Sequence, residues 1–132
     1  MAIYELMLAE APSDARLLEL ITAFFEAEPG AARILGEIVG ADEGQVAEAI
    51  IVDRSELSGE FALSLTLSTR LKTTNDALAR QFADAMSARV LCESPDKPRR
   101  YNLYDGTGDP AVVRLADGED PRDVRVAKIE SG

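Results

Sequence analysis

Residues 61–69 read FALSLTLST, and this stretch decides the fold class. Large apolar side chains at the odd positions alternate with small or hydroxyl-bearing ones at the even positions, which is the period of a β-strand with one buried face. The other face, with Ser64, Thr66 and Ser68, remains for water, a ligand or a second protein. Because antiparallel sheets often leave one face uncovered, the pattern predicts an antiparallel sheet.

Amphipathic helices are predicted on both sides of this strand. After it, Thr73 or Thr74 is expected to cap a helix. The apolar stripe of that helix consists of Leu78, Phe82, Ala85 and Met86. Before it, Ser13 is expected to cap a helix that ends at Pro29-Gly30. The apolar stripe of that first helix consists of Leu17, Leu18, Ile21, Phe24 and Phe25. Both stripes have the helical spacing of a core-facing surface.

The remaining segments complete an α+β order. Strands are predicted at residues 3–10, 46–53, 90–92, 101–104, 111–115 and 124–129, with a short helix at 31–39 and turns at 40–45, 55–59, 94–98, 105–109 and 117–121. The expected fold is a two-layer α+β domain spanning residues 1–132. It has an antiparallel sheet, two main helices on one face in a ferredoxin-like split βαβ core, and a C-terminal β-meander. Other two-layer topologies fit the same order.

Composition indicates an ordinary globular domain. The chain has 132 residues, 46% hydrophobic and 29% charged, which is the range of folded domains rather than of disordered segments. No apolar run approaches the roughly 20 residues that a membrane span needs, and no secretory signal is visible. A single cysteine leaves no internal disulfide, so a cytoplasmic location is expected.

The residue types present exclude several catalytic classes. The chain has no histidine, so neither a Ser-His-Asp nor a Cys-His unit can form. Cys92 lies in an apolar strand and is interpreted as structural. Carboxylate pairs such as Asp105 with Asp109 permit acid–base chemistry or calcium binding in principle, but acid-rich glycine turns are mostly solvated loops. We therefore expect no catalytic site, no metal and no cofactor.

The acidic charge is confined to one half of the chain. The formal net charge is −10, and residues 1–60 carry thirteen acidic side chains against three arginines, whereas residues 61–132 are balanced. This sign disfavours nucleic acid and anionic membranes as partners. Two interpretations stay open: an acidic surface that keeps the protein in solution, or a negative face that steers and docks a basic partner.

The second half has a layout that resembles a known class of proteins. A helical segment, NDALARQFADAMSA at residues 75–88, leads into the short strand VLC, the turn SPDKP and the strands RYNLYDG and AVVRLADG. This succession, over residues 60–118, resembles small acidic immunity proteins of bacterial polymorphic toxin systems. The resemblance implies a compact, cofactor-free inhibitor of a toxin. It carries over no catalytic residue.

Two functional hypotheses follow. The first is a non-enzymatic module that binds a basic protein, such as a toxin, through acids of residues 37–60 and the exposed face of the first helix. Its principal contact residues are expected to be Glu37, Asp42, Glu43, Glu48, Glu56 and Glu60. The alternative is a structural module that forms a homo-oligomer, or binds a small ligand, through the sheet face around Ser64, Thr66 and Ser68.

Overall fold

The structure, a computed structural model, describes residues 1–35 and 50–131. Its elements are, in chain order, β1 (Ala2–Leu8), α1 (Asp14–Phe25), β2 (Ala32–Ile34), β3 (Ile50–Glu56), β4 (Ser58–Gly59), β5 (Leu63–Thr69), α2 (Asn75–Met86), β6 (Val90–Glu93), β7 (Tyr101–Tyr104), β8 (Ala111–Leu115), β9 (Asp123–Val124) and β10 (Val126–Ser131). The α+β class predicted from the sequence is confirmed.

Eight of these strands form one sheet, in the order β10-β8-β7-β6-β1-β5-β3-β2. Every neighbouring pair is antiparallel except β2 and β3, which are parallel. The predicted antiparallel character of the sheet is therefore confirmed. Strands β4 and β9 form a separate parallel pair.

The main core lies between β1, β5 and the two helices. Leu65, fully buried at the centre of β5, pairs with Leu6 of β1, and Leu63 and Leu67 pair with Leu8 and Tyr4. Residues that pair across an antiparallel sheet project from the same face, so these side chains form one apolar surface. The buried side chains of α1 and α2 belong to the same cluster, which places both helices on this face.

Both helices begin at the predicted type of cap. The Ser13 hydroxyl accepts a hydrogen bond from the Arg16 backbone N–H at 3.2 Å, and that of Thr74 accepts one from Ala77 at 3.0 Å. Helix α1 ends at Phe25, before the predicted Pro29-Gly30, because the next residue, Glu26, takes a left-handed conformation with φ 51°.

The predicted apolar stripes are shifted on both helices. In α1, Leu20 is buried while Phe24 and Phe25 are only half-buried. In α2, Leu78 and Phe82 are buried as predicted, but Ala85 is exposed. Ala79 and Ala83 complete the buried face of α2, so its centre lies near Phe82 and Ala85 falls about 90° from it.

The predicted short helix at 31–39 is wrong over its described part. Ala32 and Ile34 are buried and Arg33 is exposed, which is strand alternation, and β2 pairs with β3. The Leu35 N–H donates to the Val52 carbonyl at 2.7 Å, so pairing with a buried strand outweighs local helix propensity. The predicted loop at 40–45 and the start of the predicted strand at 46–53 lie outside the described residues.

Two further boundaries differ from expectation. The turn predicted at 55–59 is instead the end of β3 followed by β4. The strand predicted at 124–129 is divided between β9 and β10, which join different sheets. In both places the backbone pairs with a segment more than 60 residues away in sequence, as when Ser58 N–H donates to the Arg122 carbonyl at 2.7 Å.

A second apolar cluster lies on the opposite face of the sheet. It contains Phe61, Leu91, Val113 and Val124, with residues of β7, β8 and β10 packed around them. The prediction that Phe61 shares a face with Leu63, Leu65 and Leu67 is therefore wrong, because β5 begins only at Leu63. The β4–β9 pair holds Val124 over this part of the sheet. No helix in the described part of the chain is long and apolar enough to cross a membrane.

Candidate protein-binding surface

The second cluster covers only part of the helix-free side of the sheet. On β1, β5 and β3 the side chains that project from this side are outside both apolar clusters, apart from Met7 at the edge of the second one. We call this area, with the adjoining ends of β6 and β7, the open face. It consists of Ile3, Glu5, Met7, Ile51, Asp53, Ser55, Ser64, Thr66, Ser68, Glu93 and Tyr101.

A row of acidic and hydroxyl side chains crosses the middle of the open face. Thr66 of β5 pairs with Glu5 of β1 on one side and with Asp53 of β3 on the other. The backbone positions of Glu5 and Asp53 are therefore two strand spacings, about 10 Å, apart. Both residues are exposed, and neither carboxylate has a hydrogen bond or ion pair with another described residue.

A shallow hollow lies beside this row, where β1 and β6 separate. The two strands pair only at Met7–Leu91 and Leu8–Val90, and beyond these pairs the Glu5 N–H donates to the Asn75 side-chain oxygen at 3.0 Å. The hollow has a volume of about 140 Å³. Its lining consists of Glu5, Leu6, Met7, Ser64, Leu91, Cys92, Glu93 and Tyr101. Its lining is thus mixed: Leu6, Leu91 and Cys92 are almost fully buried, Met7, Ser64 and Tyr101 are half-buried, and Glu5 and Glu93 are exposed.

Tyr101 lines the hollow together with Glu5 and Glu93. Burial raises the pKa of Tyr101 above its ordinary value, and the negative charges of Glu93 and then Glu5 raise it further. The phenol therefore stays neutral and can donate a hydrogen bond. A cation in this hollow would find two carboxylates, a phenol ring and the side chain of Met7.

An apolar row adjoins the acidic one. Ser68 pairs with Ile3 of β1 and with Ile51 of β3. Ile3 is 63% exposed, one of the largest exposures of an apolar side chain among the described residues. The next strand contributes Arg33, whose Nε donates to the Gly30 carbonyl at 3.3 Å at the margin of the sheet. The open face thus combines apolar, hydroxyl and acidic groups, as protein interfaces do.

Some acidic residues elsewhere on the described first half are paired with arginine, whereas Glu10, Glu26, Glu28 and Glu56 have no ion pair with a described residue. Asp14 at the start of α1 lies 2.7 Å from Arg54, and Glu19 lies 2.6 Å from Arg16. Such pairs neutralise the local charge on the helix side of the sheet. Glu5, Asp53 and Glu93 also have no ion-pair partner among the described residues, so the described residues do not neutralise the negative charge of the open face.

Most of the six acids predicted from the sequence lie outside the described residues. Glu37, Asp42, Glu43 and Glu48 fall in the segment 36–49. Glu56 is exposed at the end of β3.

Glu60 is half-buried, lies 3.4 Å from Arg89 and accepts a hydrogen bond from the Val126 N–H at 3.2 Å. Arg89 in turn lies over the Phe61 ring at 5.4 Å. The structure thus gives Glu60 a bracing role between β5, the start of β6 and β10.

A partly buried polar cluster lies on the helix side, away from the open face. Oδ1 of Asp76, in the first turn of α2, accepts hydrogen bonds from Tyr104 Oη at 2.6 Å, Asn102 Nδ2 at 2.8 Å and Cys92 Sγ at 3.4 Å. Burial, followed by the charge and hydrogen bond of Asp76, raises the pKa of the Cys92 thiol. Burial and the same carboxylate raise the pKa of Tyr104. The cluster holds the start of α2 against β6 and β7.

The acid-rich turns make local hydrogen bonds. In the turn at 105–109, the Asp105 carboxylate accepts from the N–H and the hydroxyl of Thr107. In the turn at 117–121, the Asp120 carboxylate accepts from the Arg122 N–H at 2.9 Å. These are the contacts of Asx-type turns, which aspartate commonly makes in loops. Among the described residues, no group of three acidic, cysteine or histidine side chains is arranged to hold a metal ion.

Sequence reasoning identified part of this surface and missed the rest. The Ser64, Thr66 and Ser68 face was singled out, but Glu5, Asp53 and Glu93 were not assigned to it. The signal that was available is the phase of the alternation in residues 3–8, which puts Glu5 opposite the buried Tyr4 and Leu6. Comparison of the chain with protein-family models, with curated proteins and with solved structures finds no match.

Proposed function

We propose that this protein is a non-enzymatic binding module, an acidic inhibitor of the immunity type that docks a basic protein such as a toxin. The observation that carries the proposal is the uncompensated negative charge on a sheet face that also has exposed apolar groups. Charge of one sign on a docking surface accelerates the encounter with a partner of opposite sign and disfavours partners of the same sign.

The proposal includes a specific fold. We infer that β1, α1, β3, β5, α2 and β6 form a ferredoxin-like split βαβ core, which β7, β8 and β10 extend as a meander. The support is the strand order β6-β1-β5-β3 with antiparallel neighbours, and the successive antiparallel pairing of β6, β7, β8 and β10. In this arrangement both helices lie on one side, and on the other side the open face is not covered by any other described element.

The side chains available for chemistry support a binding role rather than turnover. The chain has no histidine, and Cys92 is buried with a raised pKa, so its reactive thiolate is disfavoured at neutral pH. A single, buried thiol is also the support for proposing a cytoplasmic setting. No nucleic-acid or membrane partner is proposed, because the formal net charge of −10 repels phosphate.

A second candidate function is self-association through the open face. The large exposure of Ile3 favours it, since an apolar side chain in the middle of a surface gains by burial against a copy. Opposing it, a symmetric dimer on this face would bring Glu5, Asp53 and Glu93 of two copies together. Like charges that meet at an interface cost several kcal/mol. Sedimentation velocity at low and high salt separates the two functions, since the binding proposal expects a monomer at both.

The proposal is tested by affinity capture followed by reconstitution. The immobilised protein is exposed to a lysate of the native host at about 50 mM salt and eluted at about 500 mM, where surface charge is screened to within a few ångströms. A basic protein is expected in the eluate. Purified, it must bind the chain again, and its expression must arrest growth that co-expression of the chain restores. Recovery of no basic protein, or of one that binds equally at both salt concentrations, overturns the proposal.

A further inference from the structure

We propose that the docking surface is the open face itself and that its occupant is a segment of a basic partner protein whose lysine or arginine side chains meet Glu5, Asp53 and Glu93. This inference rests on the proposed function and adds its location and chemistry. It differs from the expectation drawn from the sequence, which placed the principal contacts at Glu37, Asp42, Glu43, Glu48, Glu56 and Glu60, with the exposed face of the first helix.

Charge complementarity is the first argument. Three carboxylates project from one face without an ion-pair partner among the described residues, and Arg33 at the margin is the one basic side chain in register with these rows. Glu5 and Asp53 are held on β1 and β3, which both pair with β5 along its length, so their spacing of about 10 Å is fixed by the sheet. Two carboxylates attached at this spacing favour a partner whose basic groups can reach both.

The hollow between β1 and β6 supplies the second argument. Its lining includes the half-buried Met7 and Tyr101 together with the exposed carboxylates Glu5 and Glu93. Lysine and arginine combine a hydrocarbon stem with a charged end, and they bury the stem against apolar surface while the charge stays at the rim. The Tyr101 ring adds a surface on which a cation is attracted by the π-system. An apolar side chain would leave both carboxylates unpaired, and an acidic one would be repelled.

The neighbouring row adds the apolar contact that a specific interface needs. Ile3 is two residues from Glu5 on the same side of β1. It pairs with Ser68 of β5, which pairs in turn with Ile51 of β3. Burial of exposed apolar area against a partner favours association. The occupant is therefore a segment that mixes basic with apolar residues. A purely polar tail would leave Ile3 exposed.

The inference is tested with a short synthetic peptide that alternates lysine with valine, and with a control peptide that alternates glutamate with valine. Each is titrated into the ¹⁵N-labelled full chain while amide chemical shifts are followed. The lysine peptide is expected to shift the amides of β1, β3 and β5 and those around Glu93 and Tyr101. The glutamate peptide is expected to cause no shifts.

Matched variants separate position from net charge. The triple variant Glu5→Gln, Asp53→Asn, Glu93→Gln is expected to weaken binding of the lysine peptide about tenfold, as the loss of three partly exposed ion pairs would. The control Glu10→Gln, Glu26→Gln, Glu28→Gln removes the same number of exposed charges elsewhere and is expected to change affinity less than about twofold. A second variant, Thr66→Lys, keeps every carboxylate but adds a positive charge between two of them, and should also weaken binding.

The outcomes are distinguishable. Binding that maps to α1 or to residues 36–49, or that both triple variants weaken equally, overturns the inference and leaves the proposed function standing. Absence of any salt-sensitive binding of the lysine peptide overturns the inference, while the growth assay with the captured protein still decides the proposed function. Chemical-shift changes on the open face support both the inference and the proposed function if they are lost in the Glu5→Gln, Asp53→Asn, Glu93→Gln variant and retained in the Glu10→Gln, Glu26→Gln, Glu28→Gln control.

Discussion

Replacing Asp76 with alanine tests how much the polar cluster at the start of α2 contributes to stability. One carboxylate oxygen accepts hydrogen bonds from Tyr104, Asn102 and Cys92. In Asp76→Ala these three donors lose their acceptor. Tyr104 is 3% exposed and Cys92 is 1% exposed, so neither gains full access to water.

The magnitude follows from the three contacts. A buried donor left without a partner costs about 1–3 kcal/mol, and the Tyr104 contact, at 2.6 Å to a charged acceptor, should dominate. The thiol is a weak donor, and half-buried Asn102 can turn toward water. The loss of a first-turn acid at the N-terminus of α2 adds about 0.5 kcal/mol. We expect Asp76→Ala to lower the free energy of unfolding by about 2–4 kcal/mol.

The assay is urea denaturation followed by far-ultraviolet circular dichroism, with two comparisons. Asp84→Ala, at an exposed position of the same helix, should change the free energy of unfolding by less than about 0.5 kcal/mol. In a double-mutant cycle with Tyr104→Phe, the Asp76→Ala loss should shrink by about 1 kcal/mol or more, since the buried hydroxyl is already absent. An Asp76→Ala loss no larger than that of Asp84→Ala, or strict additivity in the cycle, would refute the role assigned to the carboxylate.

Two further predictions concern the β4–β9 pair and the response to alkali. Gly59→Ala should lower the free energy of unfolding by about 2 kcal/mol or more in the same assay, because φ is +88° there and a β-carbon would lie 2.6 Å from the Val124 carbonyl oxygen. Gly118→Ala, with open space around it, should change the free energy little. The pKa values of Tyr104 and Cys92 are raised in the folded state, so that state holds these protons more tightly than the unfolded chain does. The contribution of these two protonated groups to the free energy of unfolding is therefore fully present below their ordinary pKa values, about 8.5 for cysteine and 10 for tyrosine. It is lost as pH rises above those values. Urea midpoints should therefore fall from about pH 8.5 upward, and less steeply in Tyr104→Phe; an equal fall in both proteins would contradict the assignment.

Local sequence patterns were sufficient for the elements whose signal is contained within a few residues. The alternation in residues 63–69 depends only on which face of β5 is buried. The pattern fails at Phe61, which precedes β5 and packs on the opposite face. The caps at Ser13 and Thr74 depend on a hydroxyl that accepts a hydrogen bond from the backbone N–H three residues later, which has no partner within the helix. Such features follow from side-chain period and capping chemistry alone.

The features that were missed depend on partners distant in the chain. Strand β2 forms because Ala32 and Ile34 pair with β3, and β9 separates from β10 because it pairs with β4. Asp76 gains its role from Tyr104, 28 residues away. No local pattern contains these pairings, since propensity is overridden by tertiary contacts.

The candidate surface shows the same division. The hydroxyl face of β5 was predicted, but its acidic border was not, because that border depends on which strands lie beside β5. Once β1 and β3 are known to pair with it, the register puts Glu5 and Asp53 on either side of Thr66. The separation of β1 from β6, which creates the hollow beside Glu93, could not be predicted from local periodicity.

The central claim is that uncompensated carboxylates on the open face bring a basic protein to this chain. The most direct test is the association rate of the captured partner, measured by stopped flow over a range of ionic strength, for the unaltered chain and for the Glu5→Gln, Asp53→Asn, Glu93→Gln variant. Electrostatic steering raises association rates by roughly tenfold or more at low salt. We expect a rate that falls steeply with salt for the unaltered chain and more shallowly for the variant. Equal rates for the two proteins at every ionic strength would contradict the claim.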